Sequence, residues 1–137
     1  MDTSFPICTS EDAAAFFSRF LKSLSSNPAC LKIAAERRLL IRWELRNPDL
    51  TIIIDSRNGG LDIRLGKDET GTGKKIEIEF ETFHKWMIGA IHLMIIWNRR
   101  QILAESDAAM EFFMALLPYM GRYYRAALND LTTNTNN

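Results

Sequence analysis

The spacing of hydrophobic positions changes character along the chain. Phe16, Phe17, Phe20, Leu21 and Leu24 recur at intervals of three and four, behind Thr9 or Ser10 as a cap and Glu11 and Asp12 as an acidic first turn. That spacing predicts an amphipathic helix over residues 10–25. Asn27-Pro28 breaks it, and Pro28 to Arg37 reads as a second short helix with proline in its first turn. The period then becomes two: Ile41, Trp43 and Leu45 alternate with Arg42, Glu44 and Arg46. After the turn Asn47-Pro48-Asp49 a second strand runs from Leu50 to Asp55, and Asn58-Gly59-Gly60 supplies a tight hairpin. Leu61, Ile63 and Leu65 mark a third strand. Beyond a polar loop, Gly66 to Lys74, the residues Ile76, Ile78 and Phe80 mark a fourth, alternating with glutamates.

Helical spacing returns after Phe80. Thr82 is expected to cap a helix through Ile91, with a further helical piece up to Asn98 and a short fifth strand from Arg100 to Glu105. Ser106 or Asp107 then caps a helix through Leu117, Pro118 interrupts it, and Tyr119 to Asp130 forms a last helix. Residues 131–137 are polar and expected to be a disordered tail, leaving one domain over residues 1–130. The fold class is α+β: a mainly antiparallel five-stranded sheet whose apolar face the helices must cover.

Composition narrows the function. With 137 residues the chain holds one core, and 17 basic against 17 acidic residues leave no net charge to draw nucleic acid. The run KWMIGAIHLMIIWNRR, residues 85–100, offers 12 residues from Trp86 to Trp97, against roughly 20 needed to cross a bilayer. It is not a membrane span. The N-terminus lacks a basic region before its apolar part, so a cytoplasmic protein is expected, with Cys8 and Cys30 as free thiols although a disulfide is conceivable.

Catalytic and metal motifs fail. The glycine-rich stretch from Gly66 to Lys75 lacks the hydroxyl residue that a phosphate loop places after Gly-Lys. His84 and His92 lie about 80° apart on a continuous helix, without an acidic or cysteine partner at ligand spacing, so no metal or other cofactor is expected. What stands out is greasy bulk. Five of the six methionines (Met87, Met94, Met110, Met114, Met120) fall in one window with Phe83, Trp86, Trp97, Phe112, Phe113, Tyr119, Tyr123 and Tyr124. The helix from Ala108 to Leu117 carries a single charge, Glu111. A helix apolar nearly all round needs burial nearly all round, whether in plain core, against a second subunit or against a ligand.

The order of elements resembles the sterol carrier protein type-two domain, most specifically over residues 74–128. The matching features of the bacterial stand-alone members are the strand Ile76 to Phe80, Thr82, Gly89, Gln101-Ile102, Leu116-Leu117-Pro118 and Tyr123-Tyr124. The sequence departs from that pattern at His92, where an Asn is common, and at Arg100 and Ser106, where small glycine positions flank the fifth strand. The resemblance implies an apolar tunnel between sheet and helices that holds a lipid, sterol, acyl or polyketide-like molecule. Its expected walls are Trp43, Phe80, Phe83, Trp86, Met87, Met94, Trp97, Met110, Phe113, Met114 and Leu117, with Tyr119, Tyr123 and His92 orienting a polar end. Two other readings stand beside this carrier. One is a cofactor-free cyclase or isomerase with His92, Glu105 or Tyr123 as its polar group; the other is an accessory module that dimerises through the surplus apolar surface.

Overall fold

A computed structural model describes residues 9–66 and 73–135. The leader through Cys8, the middle of the loop read between Gly66 and Lys74, and residues 136–137 lie outside them. Ten elements follow in the order α1 (Ser10–Ser26), α2 (Pro28–Arg37), β1 (Leu40–Arg46), β2 (Leu50–Asp55), β3 (Asp62–Leu65), β4 (Lys74–Glu79), α3 (Phe80–Met87), α4 (Leu93–Asn98), β5 (Ile102–Ala104) and α5 (Asp107–Thr135).

Local chemistry sets most of the boundaries. The Thr9 hydroxyl accepts from the Asp12 amide and starts α1. Asn27 ends α1 and caps α2, its Oδ1 accepting from the amides of Ala29 and Cys30. Leu40–Arg46 has buried Ile41, Trp43 and Leu45 on one face and Arg42, Glu44 and Arg46 on the other, as its period of two requires.

The sheet has the order β3-β2-β1-β4-β5. Three of its pairings are antiparallel, whereas β1 runs parallel to β4 with Trp43 opposite Ile76. The fourth strand therefore does not extend the meander at β3. It crosses back to lie beside β1, which makes β1 the central strand. Ile41, Trp43, Leu45, Ile52, Ile54, Ile76, Ile78 and Ile102 form the inner face. α1 covers the β2–β3 end of the sheet and α5 the β4–β5 end, and the two helices pack on each other.

The helical half differs from expectation in four places. Phe80 opens α3 instead of closing β4, and Glu79, not Thr82, is its N-cap residue. α3 stops at Met87, because Gly89 turns into the left-handed region at φ 81° and the Ala90 amide bonds back to the Lys85 carbonyl. The fifth strand is three residues long. Pro118 does not split the closing helix: α5 runs unbroken from Asp107 to Thr135, with Pro118 exposed. A proline removes one internal hydrogen bond, and a helix buried along both flanking turns tolerates that loss. The expected tail at 131–137 thus begins as helix, through Thr135.

Candidate functional site

Trp43 stands at the centre of β1 on the inner face and is fully buried. Three rings meet it edge-on: Phe17 from α1 at 5.7 Å between centroids, Phe83 from α3 at 4.9 Å and Phe113 from α5 at 5.1 Å. Phe17 also meets Phe80 at 5.2 Å. T-shaped contacts of this kind set the positive ring edges against negative faces. The indole Nε1–H of Trp43 is buried yet has no hydrogen-bond partner among the described residues. Leaving such a donor unpaired costs about 1–3 kcal/mol, so native interiors rarely keep one without cause.

The expected wall residues separate into three groups. Trp43, Phe80, Phe83, Met87, Phe113 and Leu117 belong to the buried core. Trp86, Met110, Met114 and Tyr119 are partly buried and pack against it. Met94 and Trp97 are more than half exposed, on the outside of α4. The first group thus lies in the core and the second packs against it, while the third is on the surface.

The three polar candidates do not converge. His92 is exposed, and its Nδ1 accepts from the Met94 amide at 3.1 Å as the N-cap of α4. His92 therefore lies outside the buried core, because a hydrophobic neighbourhood in sequence did not make a hydrophobic neighbourhood in space. Glu105 is exposed beyond β5, its Oε1 accepting from the Lys75 amide at 2.5 Å along the sheet edge. The Tyr123 hydroxyl accepts from Asn27 Nδ2 at 2.8 Å, tying α5 to the junction of α1 and α2. It lines a surface cleft there with Arg19, Lys22, Ser23 and Ser26.

Two features were missed in the sequence. The first is Phe17, which the helical period placed on a buried face without showing that this face meets Trp43. The second is a buried polar pair, His84 Nδ1 and the Tyr124 hydroxyl, 2.6 Å apart. Rings of Phe16, Phe20 and Phe83 surround Tyr124, and burial holds its hydroxyl protonated far above the usual tyrosine range. A signal existed: Phe80, Phe83, His84 and Met87 share one helical face, as do Leu117, Met120 and Tyr124. Beside this pair, Arg125 Nη1 donates to the Met87 carbonyl at 2.8 Å and closes the C-terminal end of α3. Among the described residues no cluster of His, Cys, Asp and Glu could hold a metal ion, and no helix is long and apolar enough to cross a membrane.

No model of a known protein family matches the sequence, and no curated protein matches it. Solved structures do. The solution structure of a conserved protein from Thermus thermophilus, described as possibly a sterol carrier protein, superposes with a TM-score of 0.59 at 15% identity, over 82% of this chain and 86% of that one. The chain has the sterol carrier protein 2 fold. Sterol carrier protein 2 from Yarrowia lipolytica gives a TM-score of 0.54 at 15% identity, over 88% of this chain and 94% of that one. UbiJ-SCP2, a ubiquinone synthesis protein, gives 0.55 at 18%, over 80% and 91%. In this sterol-carrier fold the layer between sheet and helices is the region that Trp43, Phe83 and Phe113 occupy.

Proposed function

We propose that this protein is a cytoplasmic carrier of an apolar small molecule (a lipid, sterol, acyl chain or polyketide-like compound) taken up between the inner sheet face and α3 and α5. The observation that carries the reading is the Trp43 Nε1–H in the middle of that layer, which has no hydrogen-bond partner among the described residues. Its surroundings offer Phe17, Phe83 and Phe113 rings that must turn aside for a guest, with the flexible side chains of Met110 and Met114 at the margin. The sterol-carrier fold supports the same reading. A guest that buries ~400 Å² of apolar surface gains roughly 10 kcal/mol before association and ring displacement are counted. The indole then favours a guest with one acceptor, such as a carbonyl or hydroxyl, over a bare hydrocarbon.

The test is a pair of fluorescent probes of equal length, one a fatty alcohol and one a hydrocarbon, titrated into the wild type and Trp43→Phe. The wild type is expected to bind both and to prefer the alcohol. Trp43→Phe should keep the hydrocarbon while binding the alcohol about fivefold more weakly, the size of one net hydrogen bond. Failure of both probes to bind the wild type overturns the carrier reading. Equal preference in the two proteins overturns the role of Trp43.

A further inference from the structure

Five large apolar side chains are exposed among the described residues: Leu31, Met94, Ile95, Trp97 and Leu103. Three of them sit on the six-residue helix α4, with Met94 at 56%, Ile95 at 42% and Trp97 at 54% exposure. At about 100° per residue, Trp97, Met94 and Ile95 cover an arc of about 160°. Ile96, the buried residue of α4, points the opposite way. The helix is therefore apolar toward solvent as well as toward the core, and Asn98 is the polar side chain within the outer arc.

Along the chain the charge near α4 is one-sided. Between Glu81 and Glu105 the sequence holds no acidic residue, while Lys85, Arg99 and Arg100 are basic. Lys85 is paired with Glu81 at 3.0 Å. Arg99 and Arg100, at the C-terminal end of α4, are exposed and make no ion pair among the described residues. Arg100 shares a cleft of the outer sheet face with Glu77 and Glu79; Glu77 is engaged by Arg46 at 2.6 Å and Lys75 at 3.5 Å, and Glu79 makes no ion pair among the described residues. Arg100 also sits in the left-handed region at φ 53°, a conformation that glycine adopts without strain.

We propose that the outer face of α4 docks on an anionic phospholipid bilayer. Trp97, Met94 and Ile95 enter the boundary between headgroups and acyl chains, where indole rings settle, and Arg99 and Arg100 meet the lipid phosphates. A second copy of the chain fits less well. Residues 82–104 hold no acid with which one copy could pair the Arg99 and Arg100 of another. The proposal concerns the outside of α4 and does not depend on the interior binding site; the two properties together suit a protein that loads its guest at a membrane.

Vesicle flotation tests it, using phosphatidylcholine alone and phosphatidylcholine mixed with phosphatidylglycerol. The wild type is expected to float with the mixed vesicles, less so in high salt and weakly with phosphatidylcholine alone. Arg99→Gln/Arg100→Gln should lower partitioning into mixed vesicles about 30-fold, at about fivefold per charge. Met94→Ser/Trp97→Ser should lower it roughly tenfold or more, because the apolar insertion is lost. Both pairs alter exposed side chains, and unchanged thermal melts will confirm that the variants fold. The proposal is overturned if the wild type does not float with mixed vesicles, or if both variants float as it does. A concentration-dependent dimer abolished by Met94→Ser/Trp97→Ser also overturns it, since the face would then belong to a second copy. The probe titrations of Trp43→Phe read the interior separately, so either proposal can fail alone.

Discussion

At Arg100 the backbone turns out of α4 with a positive φ of 53°. A side chain there costs about 1 kcal/mol relative to glycine, which pays no Cβ penalty in that region. Arg100→Gly is therefore expected to raise the stability by roughly 0.5–1 kcal/mol in urea unfolding, while weakening attachment to anionic vesicles. Cys30 gives a pH-dependent counterpart. It is fully buried in α2, and desolvation raises its thiol from 9.0 to about 11. Below pH 9 the thiol is neutral in both folded and unfolded chains and leaves stability unchanged. Between pH 9 and 11 the unfolded chain sheds the proton and the folded one keeps it, so stability falls as pH rises. Comparing urea midpoints of the wild type and Cys30→Ala at about pH 8 and about pH 10 isolates this slope from other titrating groups, and the wild type should lose more across the interval.

The elements differ in how firmly they are held. Each strand is bonded along its length and α5 packs on α1, α2, α3, β4 and β5. By contrast α4 is joined to the core through Ile96. Ile96→Ala is expected to cost about 2 kcal/mol, the low end for such truncations, because a peripheral helix can settle into the space. Hydrogen exchange should show the α4 amides losing protection well before those of β1. Equal acceleration in both would mean that α4 belongs to the global unfolding unit. Element identity was largely legible in the sequence, since the periods of two and 3.6 report which face is buried. Element ends were less so. Phe80 satisfies both the strand alternation and the α3 face, and Pro118 reads as a break only when the packing on either side of it is ignored.

For the whole molecule, the chain's own pattern determined that an antiparallel meander of apolar inner face would be covered by an aromatic, methionine-rich helical half. That follows because alternation and helical spacing are local, and burying those faces is the largest favourable term in folding. Tertiary structure decided what local pattern cannot encode. It set β4 parallel to β1, as alternation marks a face and not a partner. It brought Phe17, Phe83 and Phe113 around Trp43 from three helices, and placed Tyr124 on His84 across 40 residues of sequence. It also turned His92, Met94 and Trp97 outward. Those three sit in a run that is apolar but for His92, where composition argues for burial. The turn at Gly89 ends α3 and starts α4 in a new direction, and direction in space is a property of the packed chain.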